Sequence, residues 1–545
     1  MGTLGRSLGE AGYLDQLVAV ASDSSSPHQP AFAARTMSSP VNSNNNGKAM
    51  VKEEVSSPTA MDDVVPHTMF QPPVTQENNY NANHQAPPLL NKSVTDDDKS
   101  KVAGWSSSSM TPSSSVPEPL VWTPALLVRD LMKHCVAALD AGNLAEVNTD
   151  LRLMSFFSLA SPTGNPTQRV AFAFAEALAR RAIQATLPGL SWALGLQVAQ
   201  QPAAAPYAAD AARRCFDSLC PFLRVAASAA NQAIVPAATS AGKKQVHVVD
   251  LGGASTDQWL ALLRLFAAVR RAGAAPFLLR LSVVTLQEAS LSRAAGVLTQ
   301  EAVRLRVPFV FNPVRSYIDR FSPADIAALG ARPRGGEEVL VITSTLQLHR
   351  LLASEVSVEL SPRAGPSRQV ITRADVLLRV LCDMSPELVL LTEQEAEHNG
   401  TGLSDRVSSA FDYYAALFGD LVAAGGGESA ERAAVERVLL REEIVDIVAR
   451  EGSARRERHE GVRSWAKRMA AAGFEPATAV MSYDASAAAA ADVGLQAQQM
   501  AAADGTLRYW VRNEDACVVV YSRMTPIFSV TAWRPAGELK KNNGK

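Results

Sequence analysis

From Gln245 to Leu391 the chain alternates short apolar runs with longer stretches whose apolar residues recur at helical spacing. The first run, Val246-His247-Val248-Val249-Asp250, ends in Leu251-Gly252-Gly253. A helix is expected from Asp257, burying Trp259, Leu262, Leu263, Phe266 and Val269 and ending at Gly273. Strands are then expected over Phe277–Val284, Val307–Phe311, Val339–Thr343 and Leu388–Leu391. Helices are expected between them, over Leu286–Leu305, from Ser322-Pro323, over Leu346–Leu352 and over Arg373–Met384. Strands that are apolar on both faces and separated by helices belong to a parallel sheet covered on both sides. The expected class is α/β, Rossmann-like, with a mostly parallel sheet.

The flanks differ from this centre. Thr123-Pro124 is a helix start signal, and Asp140-Ala141-Gly142 a stop. Between them Leu127, Leu131, Cys135 and Ala138 line one stripe, with Val128, Met132 and Leu139 beside it. Further helices are expected over Thr167–Gln184 and Ala208–Ala227, so the first ordered part reads as an N-terminal helical cap. Near the other end, Leu507–Arg512, Ala516–Tyr521 and Ile527–Trp533 read as antiparallel strands closing one sheet edge. Glu359–Gln369 reads as an exposed loop and Gly425-Gly426-Gly427 as a joint between helices. Residues 1–118 are rich in Ser, Asn, Pro, Gln and Asp with no apolar period, the composition of a disordered tail. Residues 536–545 read as a polar C-terminal tail.

Composition excludes several classes. The 52 basic and 54 acidic residues leave a net charge of −2, no general pull toward nucleic acid or anionic membrane. Five cysteines without a Cys-x-x-Cys pair argue against a zinc cage or disulfide framework. No apolar run is long enough to cross a bilayer, and the N-terminus lacks the pattern of a secretory leader. A cytoplasmic or nuclear protein is expected.

The most enzyme-like feature is Asp250 with Gly252-Gly253 after a first strand, a place where such folds cradle nucleotides or adenosyl ligands. The G-x-G-x-x-G spacing is absent, and the second strand ends without the carboxylate that would hold a ribose. The loop reads as vestigial, with no cofactor and no metal. An adenosylmethionine-dependent methyltransferase, or a small-molecule sensor that kept the pocket, are the alternatives. His247 reads as a core histidine bonded to a neighbouring backbone group. His398 follows Glu393, Glu395 and Glu397; such a cluster can bind a metal, but flexible loop carboxylates are more often solvated, and that is the expectation. Leu348, Leu351 and Leu352 spell Leu-x-x-Leu-Leu, a docking motif on a partner-facing helix but core packing after a core strand. Arg455–Glu460 is a mixed charge run, read as a solvated helix start, and the basic pairs at Lys243-Lys244 and Lys540-Lys541 are weak import signals.

Taken in order, these segments resemble the plant GRAS family. Val246, His247, Val248, Val249 and Asp250 resemble its VHIID signature, followed by Gln258-Trp259. Leucine-rich helices flank the block on both sides. Glu338–Ala353 and Met384–Glu395 resemble the PFYRE region, and Arg456–Glu460 with Trp465 the start of the SAW region. Thr531, Ala532 and Trp533 stand where the family has Ser-Ala-Trp. The resemblance divides the 119–535 domain into leucine repeat I (119–187), the VHIID region (208–284), leucine repeat II (286–330), the PFYRE region (338–442) and the SAW region (445–535). It implies a methyltransferase-like Rossmann core with a helical cap, and a non-enzymatic nuclear transcriptional regulator. The implied partners are DNA-binding transcription factors and other GRAS proteins, with homo- or heterodimers, mainly indirect DNA contact and a link to gibberellin signalling. The tail carries no DELLA motif, which argues against a gibberellin-degraded repressor. Leu127 and Leu131 on the cap are the expected partner-binding positions.

Overall fold

The structure is a computed structural model. It describes residues 124–537 except 159–162, 190–204, 241–242, 274–277, 317, 319–324, 326–328, 330–337, 360–367, 426–428, 479, 502–508 and 515. The expected tail over 1–118, the Thr123 start signal, the helix opening at Ser322-Pro323 and the chain from 538 lie outside the described residues.

Helix α1 spans Pro124–Asp140, and α2 spans Leu144–Phe157 with the Asn143 side chain accepting the Glu146 N–H as its cap. Helix α3 (Pro166–Thr186) opens on a capping box between Asn165 and Gln168, with proline in the first turn. The single helix expected over Ala208–Ala227 is instead two, α4 (Ala205–Leu219) and α5 (Phe222–Ser240). Pro221 supplies the reason: it offers no N–H and pushes Cys220 out of the helical region.

Strand β1 (Gln245–Asp250) then leads into α6 (Thr256–Arg271), and β2 (Leu278–Val284) into α7 (Glu288–Leu305). Strand β3 (Phe309–Val314) lies a few residues beyond the expected run and holds Pro313, which an edge strand tolerates. Strand β4 (Glu338–Thr345) is followed by the short α8 (Leu348–Leu351). The expected loop at Glu359–Gln369 is flanked by an antiparallel pair, β5 (Glu355–Glu359) and β6 (Arg368–Thr372). Next come α9 (Arg373–Asp383), β7 (Leu388–Gln394) and α10 (Leu403–Gly425). Helix α11 (Ala430–Val435) runs through a π turn at Glu436–Leu440 into α12 (Arg441–Ala449). The chain closes with α13 (Val462–Ala471), β8 (Phe474–Pro476), α14 (Ala485–Ala491), α15 (Val493–Ala501), β9 (Tyr509–Glu514), β10 (Cys517–Ser522) and β11 (Thr525–Pro535).

The main sheet has the order β3-β2-β1-β4-β7-β11-β10-β9, with β8 also pairing β11. The first five strands are parallel. Strand β11 runs antiparallel to both β7 and β10, so the last strand in sequence is the innermost of the C-terminal meander. This is a Rossmann-like, methyltransferase-like arrangement whose strand order reverses between β1 and β4. Helices α5, α6 and α7 cover one face, where Ala233, Trp259, Leu262 and Leu298 pack on Val246, Val248 and Leu281. Helices α9 and α13 cover the other, where Leu378, Trp465 and Met469 pack on Val249, Ile342 and Val389.

The cap is not built from the N-terminal helices alone. Helices α1, α2 and α3 share one core with α10 and α12, so the described cap joins segments more than two hundred residues apart. Its buried polar seam is Arg169, which donates from Nε and Nη2 to the two Glu436 oxygens at 2.8 and 2.9 Å, with Arg432 on the same carboxylate at 3.0 Å. The stripe of α1 sits one residue off the expected one: Val128, Met132, Cys135, Val136 and Ala138 are buried, while Leu127 and Leu131 are half-buried at its border.

Candidate functional site

In open α/β sheets ligands bind beyond the carboxyl ends of the strands, where the strand order reverses. Here that point lies between β1 and β4, and the loop after β1 lies against the end of β4 there. The Leu251 N–H donates to the Thr343 carbonyl at 2.8 Å, and the Thr345 N–H to the Gly252 carbonyl at 3.2 Å. Gly252 and Gly253 have φ of +109° and +88°. A Cβ on Gly253 would lie 1.7 Å from the Thr345 carbonyl oxygen and 2.8 Å from Gln347 Nε2. The glycines thus allow the loop to lie against the end of β4. In a cofactor site they would allow backbone to approach a phosphate or a ribose. The Gly252 N–H is also taken, donating to Asp250 Oδ1 at 2.8 Å. Asp250 is fully buried, and burial pushes its carboxyl up to about 7 against the pull of the Gly252 N–H and Trp259. Of the loop groups that would face an adenosyl ligand, the Gly252 N–H is engaged by Asp250 and Gly253 lies against the Thr345 carbonyl.

His247 is bonded to side chains, not to the backbone group expected. Its Nε2 faces Ser282 Oγ at 2.8 Å and its Nδ1 faces Glu338 Oε1 at 3.0 Å. Asn312 Nδ2 donates to the same hydroxyl at 2.8 Å. One polar thread therefore crosses the four strands β4, β1, β2 and β3. The Ser–His–acid connectivity is that of a hydrolase triad. Its position is not: His247 and Ser282 are fully buried, and the hydroxyl that would attack is already shared with Asn312. Burial, the largest influence, pulls the His247 imidazole below its ordinary value.

The densest polar assembly joins three segments that the sequence reading kept apart. At its centre Glu457 accepts from His349 Nε2 at 2.8 Å and His459 Nε2 at 3.1 Å on one oxygen, and from Arg350 Nη2 at 2.8 Å on the other. Glu393, at the end of β7, accepts the Leu348 N–H at 2.9 Å and faces His349 Nδ1 at 2.7 Å. His398 Nδ1 lies 2.8 Å from His459 Nδ1, and its carbonyl accepts from Arg455 Nη1 at 2.7 Å. Asp446 of α12 accepts the N–H groups of Arg456 and Glu457, both at 2.7 Å. Glu460 is held by Asn399 and Arg468. This corrects two expectations. Arg455–Glu460 is an extended segment in which Arg455, Glu457, His459 and Glu460 are buried, not a solvated helix start. Glu393 and His398 are buried too, and of that run Glu397 alone is exposed. The buried carboxylates Glu393, Glu457 and Glu460 each have partners across the assembly, which is why the segment can leave water.

The electrostatics follow from the partners. Burial alone would push the His349 imidazole down, but Glu393 and Glu457 on its two nitrogens hold it up at about 9. Burial opposes the Glu457 carboxylate, and Arg350 and His349 together hold it well below its ordinary range. Burial keeps His398 and His459 low. Since Glu457 only accepts, His459 carries its proton on Nε2 and accepts on Nδ1 from His398. Sequence signals for this site existed in the Leu-His-Arg and Arg-Glu-Arg-His-Glu strings, but nothing local said that they meet.

The remaining motif residues serve the core. Leu348, Leu351 and Leu352 are buried on the sheet with Leu340 and Ile342. Ala532 is fully buried in β11, and the Trp533 indole N–H donates to Thr531 Oγ1 at 2.8 Å. Serine in place of Thr531 would keep that acceptor. On the cap, the exposed large apolar side chains are Leu126, Leu153 and Phe156, the last 78% exposed.

Comparison with known proteins agrees with this architecture. The model of the GRAS domain family matches residues 128–534. Scarecrow-like protein 3 of Arabidopsis thaliana is 32% identical over 450 residues, covering 74% of this chain and 88% of that protein. DELLA protein RGL3 of Arabidopsis thaliana is 30% identical over 411 residues, 75% of this chain and 69% of that one. The crystal structure of SCL7 in Oryza sativa superposes with a TM-score of 0.59 at 28% identity, covering 76% of this chain and all of that one. No helix among the described residues is long and apolar enough to cross a membrane. With the matching model spanning the cap and the whole sheet, the chain belongs to the GRAS domain family.

Proposed function

We propose that the chain is a nuclear regulator of transcription that acts by binding other proteins, DNA-binding factors and other GRAS proteins among them, and performs no catalysis. Contact with DNA is then mainly through those partners, and a role in gibberellin-linked development is the associated expectation. The observation that carries the reading is the loop after β1. Gly253 accommodates the Thr345 carbonyl, and the Gly252 N–H is held by Asp250. A methyltransferase-like core without its ligand cradle is a scaffold for surfaces. The near-neutral charge supports delegated DNA contact.

The cap is the proposed partner face, with Leu127 and Leu131 at the border of its buried stripe. Both are half-buried, and Leu131 packs against the cap core, so charging it would disturb folding and binding together. Leu126, Leu153 and Phe156 are the exposed positions. The reading is tested by tethering the chain to a promoter through a heterologous DNA-binding domain in plant cells. A change in reporter transcription is expected, and Phe156→Asp is expected to reduce it while leaving the melting temperature unaltered. A tethered, nuclear, folded chain with no effect on transcription would sink the reading.

A further inference from the structure

Two imidazoles aim their Nε2 atoms at the same Glu457 oxygen: His349, on α8, at 2.8 Å, and His459, in the segment before α13, at 3.1 Å. The ligand atoms of these three residues lie within 4.8 Å of one another, and all three side chains are buried. Imidazole nitrogen and carboxylate oxygen are ordinary donors for zinc. The far side of each ring is already held. Glu393 sits on His349 Nδ1 at 2.7 Å, and His398 Nδ1 lies on His459 Nδ1 at 2.8 Å. Metal-bound histidines carry such an outer partner, which fixes the ring and raises its donor strength. Glu393 and His398 both come from the run weighed above as a metal site in its own right; here they stand behind the ligands.

We propose that His349, Glu457 and His459 form a binding site for a zinc-like divalent transition metal, which fastens α8 at the end of β4 to the Arg455–Glu460 segment. Glu457 binds through the oxygen that now faces both imidazoles, and its other oxygen stays on Arg350 at 2.8 Å. Protons balance. The metal takes the place of any proton on His349 Nε2, which leaves to solvent, while His349 Nδ1–H goes on donating to Glu393. His459 surrenders its Nε2 proton and gains one on Nδ1 from His398, and the departing proton re-enters on His398 Nε2. The hydrogen-bonded cluster described above is the metal-free form of the same site.

The test uses the full chain, purified without a histidine tag. Elemental analysis is expected to find one zinc per chain. A chelator is expected to lower the melting temperature, and added zinc to restore it. Cobalt in place of zinc is expected to give visible d–d bands. Glu393→Gln leaves all three ligands in place and is expected to weaken zinc binding about 10–100-fold. A folded chain that holds no metal, takes up neither zinc nor cobalt, and melts at the same temperature with and without chelator would overturn the proposal. So would zinc binding that survives unchanged in folded His459→Gln, because the ion would then lie elsewhere. If that variant does not fold, Glu393→Gln and the cobalt spectrum of the unaltered chain decide.

Discussion

Gly253 separates two explanations of one motif. If the glycine serves a ligand, alanine there removes binding and leaves stability nearly intact. If it serves the protein, alanine collides with the Thr345 carbonyl at a φ of +88°. We expect Gly253→Ala to destabilise the fold by at least about 3 kcal/mol, read as a fall in denaturant midpoint. Asp250 beside it carries a pH signature. Its folded carboxyl titrates near 7 against an ordinary 3.8, so the unfolded state ionises first. Its contribution is therefore fully present below pH 4 and is lost as pH rises through 7, a change of up to about 4 kcal/mol. Asparagine keeps the acceptor for the Gly252 N–H and cannot ionise. The stability of Asp250→Asn relative to the unaltered chain is thus expected to rise between pH 4 and pH 8, and a flat difference would remove Asp250 as the cause. Thr531 offers a third check. Thr531→Ser keeps the acceptor for the Trp533 indole, while Thr531→Val orphans a buried N–H and is expected to cost about 1–3 kcal/mol by chemical denaturation. Of these residues, the sequence made Asp250, Gly252, Gly253 and Trp533 visible as motif positions. What each touches was not visible, because Thr345 and Gly253 meet only through the pairing of β1 with β4.

At the scale of elements, the strands were legible because parallel-sheet strands are apolar on both faces and need no context to be seen. Helix boundaries were less so. Pro221 splits one expected helix, yet Pro236 lies inside α5, so proline alone did not tell a break from a tolerated site. The cap was legible only in part, since α10 and α12 complete it from far along the chain. Arg169 and Glu436 record that distance in one buried ion pair. Removing one partner of a buried pair strands the other. Arg169→Met is therefore expected to destabilise the chain by about 3 kcal/mol, softened by the Arg432 that remains on Glu436, and to leave the denaturant slope unaltered. An Arg169→Met variant as stable as its parent would mean that the pair does not fasten the cap. The Arg455–Glu460 segment was misjudged for the same reason: a mixed charge run is ordinarily solvated, and only long-range partners such as Glu393, Asp446 and His398 make its burial possible.

The described residues form a Rossmann-like sheet whose first loop lies against the end of β4, with a helical cap that exposes Leu126, Leu153 and Phe156. The α/β class, the antiparallel closing strands and the family were all readable in the sequence. What pattern could not show was that the loop after β1 lies against the end of β4, since that depends on where the β4–α8 turn lies. The most direct measurement is isothermal titration of the full chain with adenosylmethionine, with circular dichroism confirming the fold. No heat of binding at millimolar ligand is expected, because the groups that would hold the ligand already hold one another. Saturable micromolar binding to the folded chain, abolished by Gly253→Ala without loss of stability, would contradict that and return the crevice to the role of a ligand site.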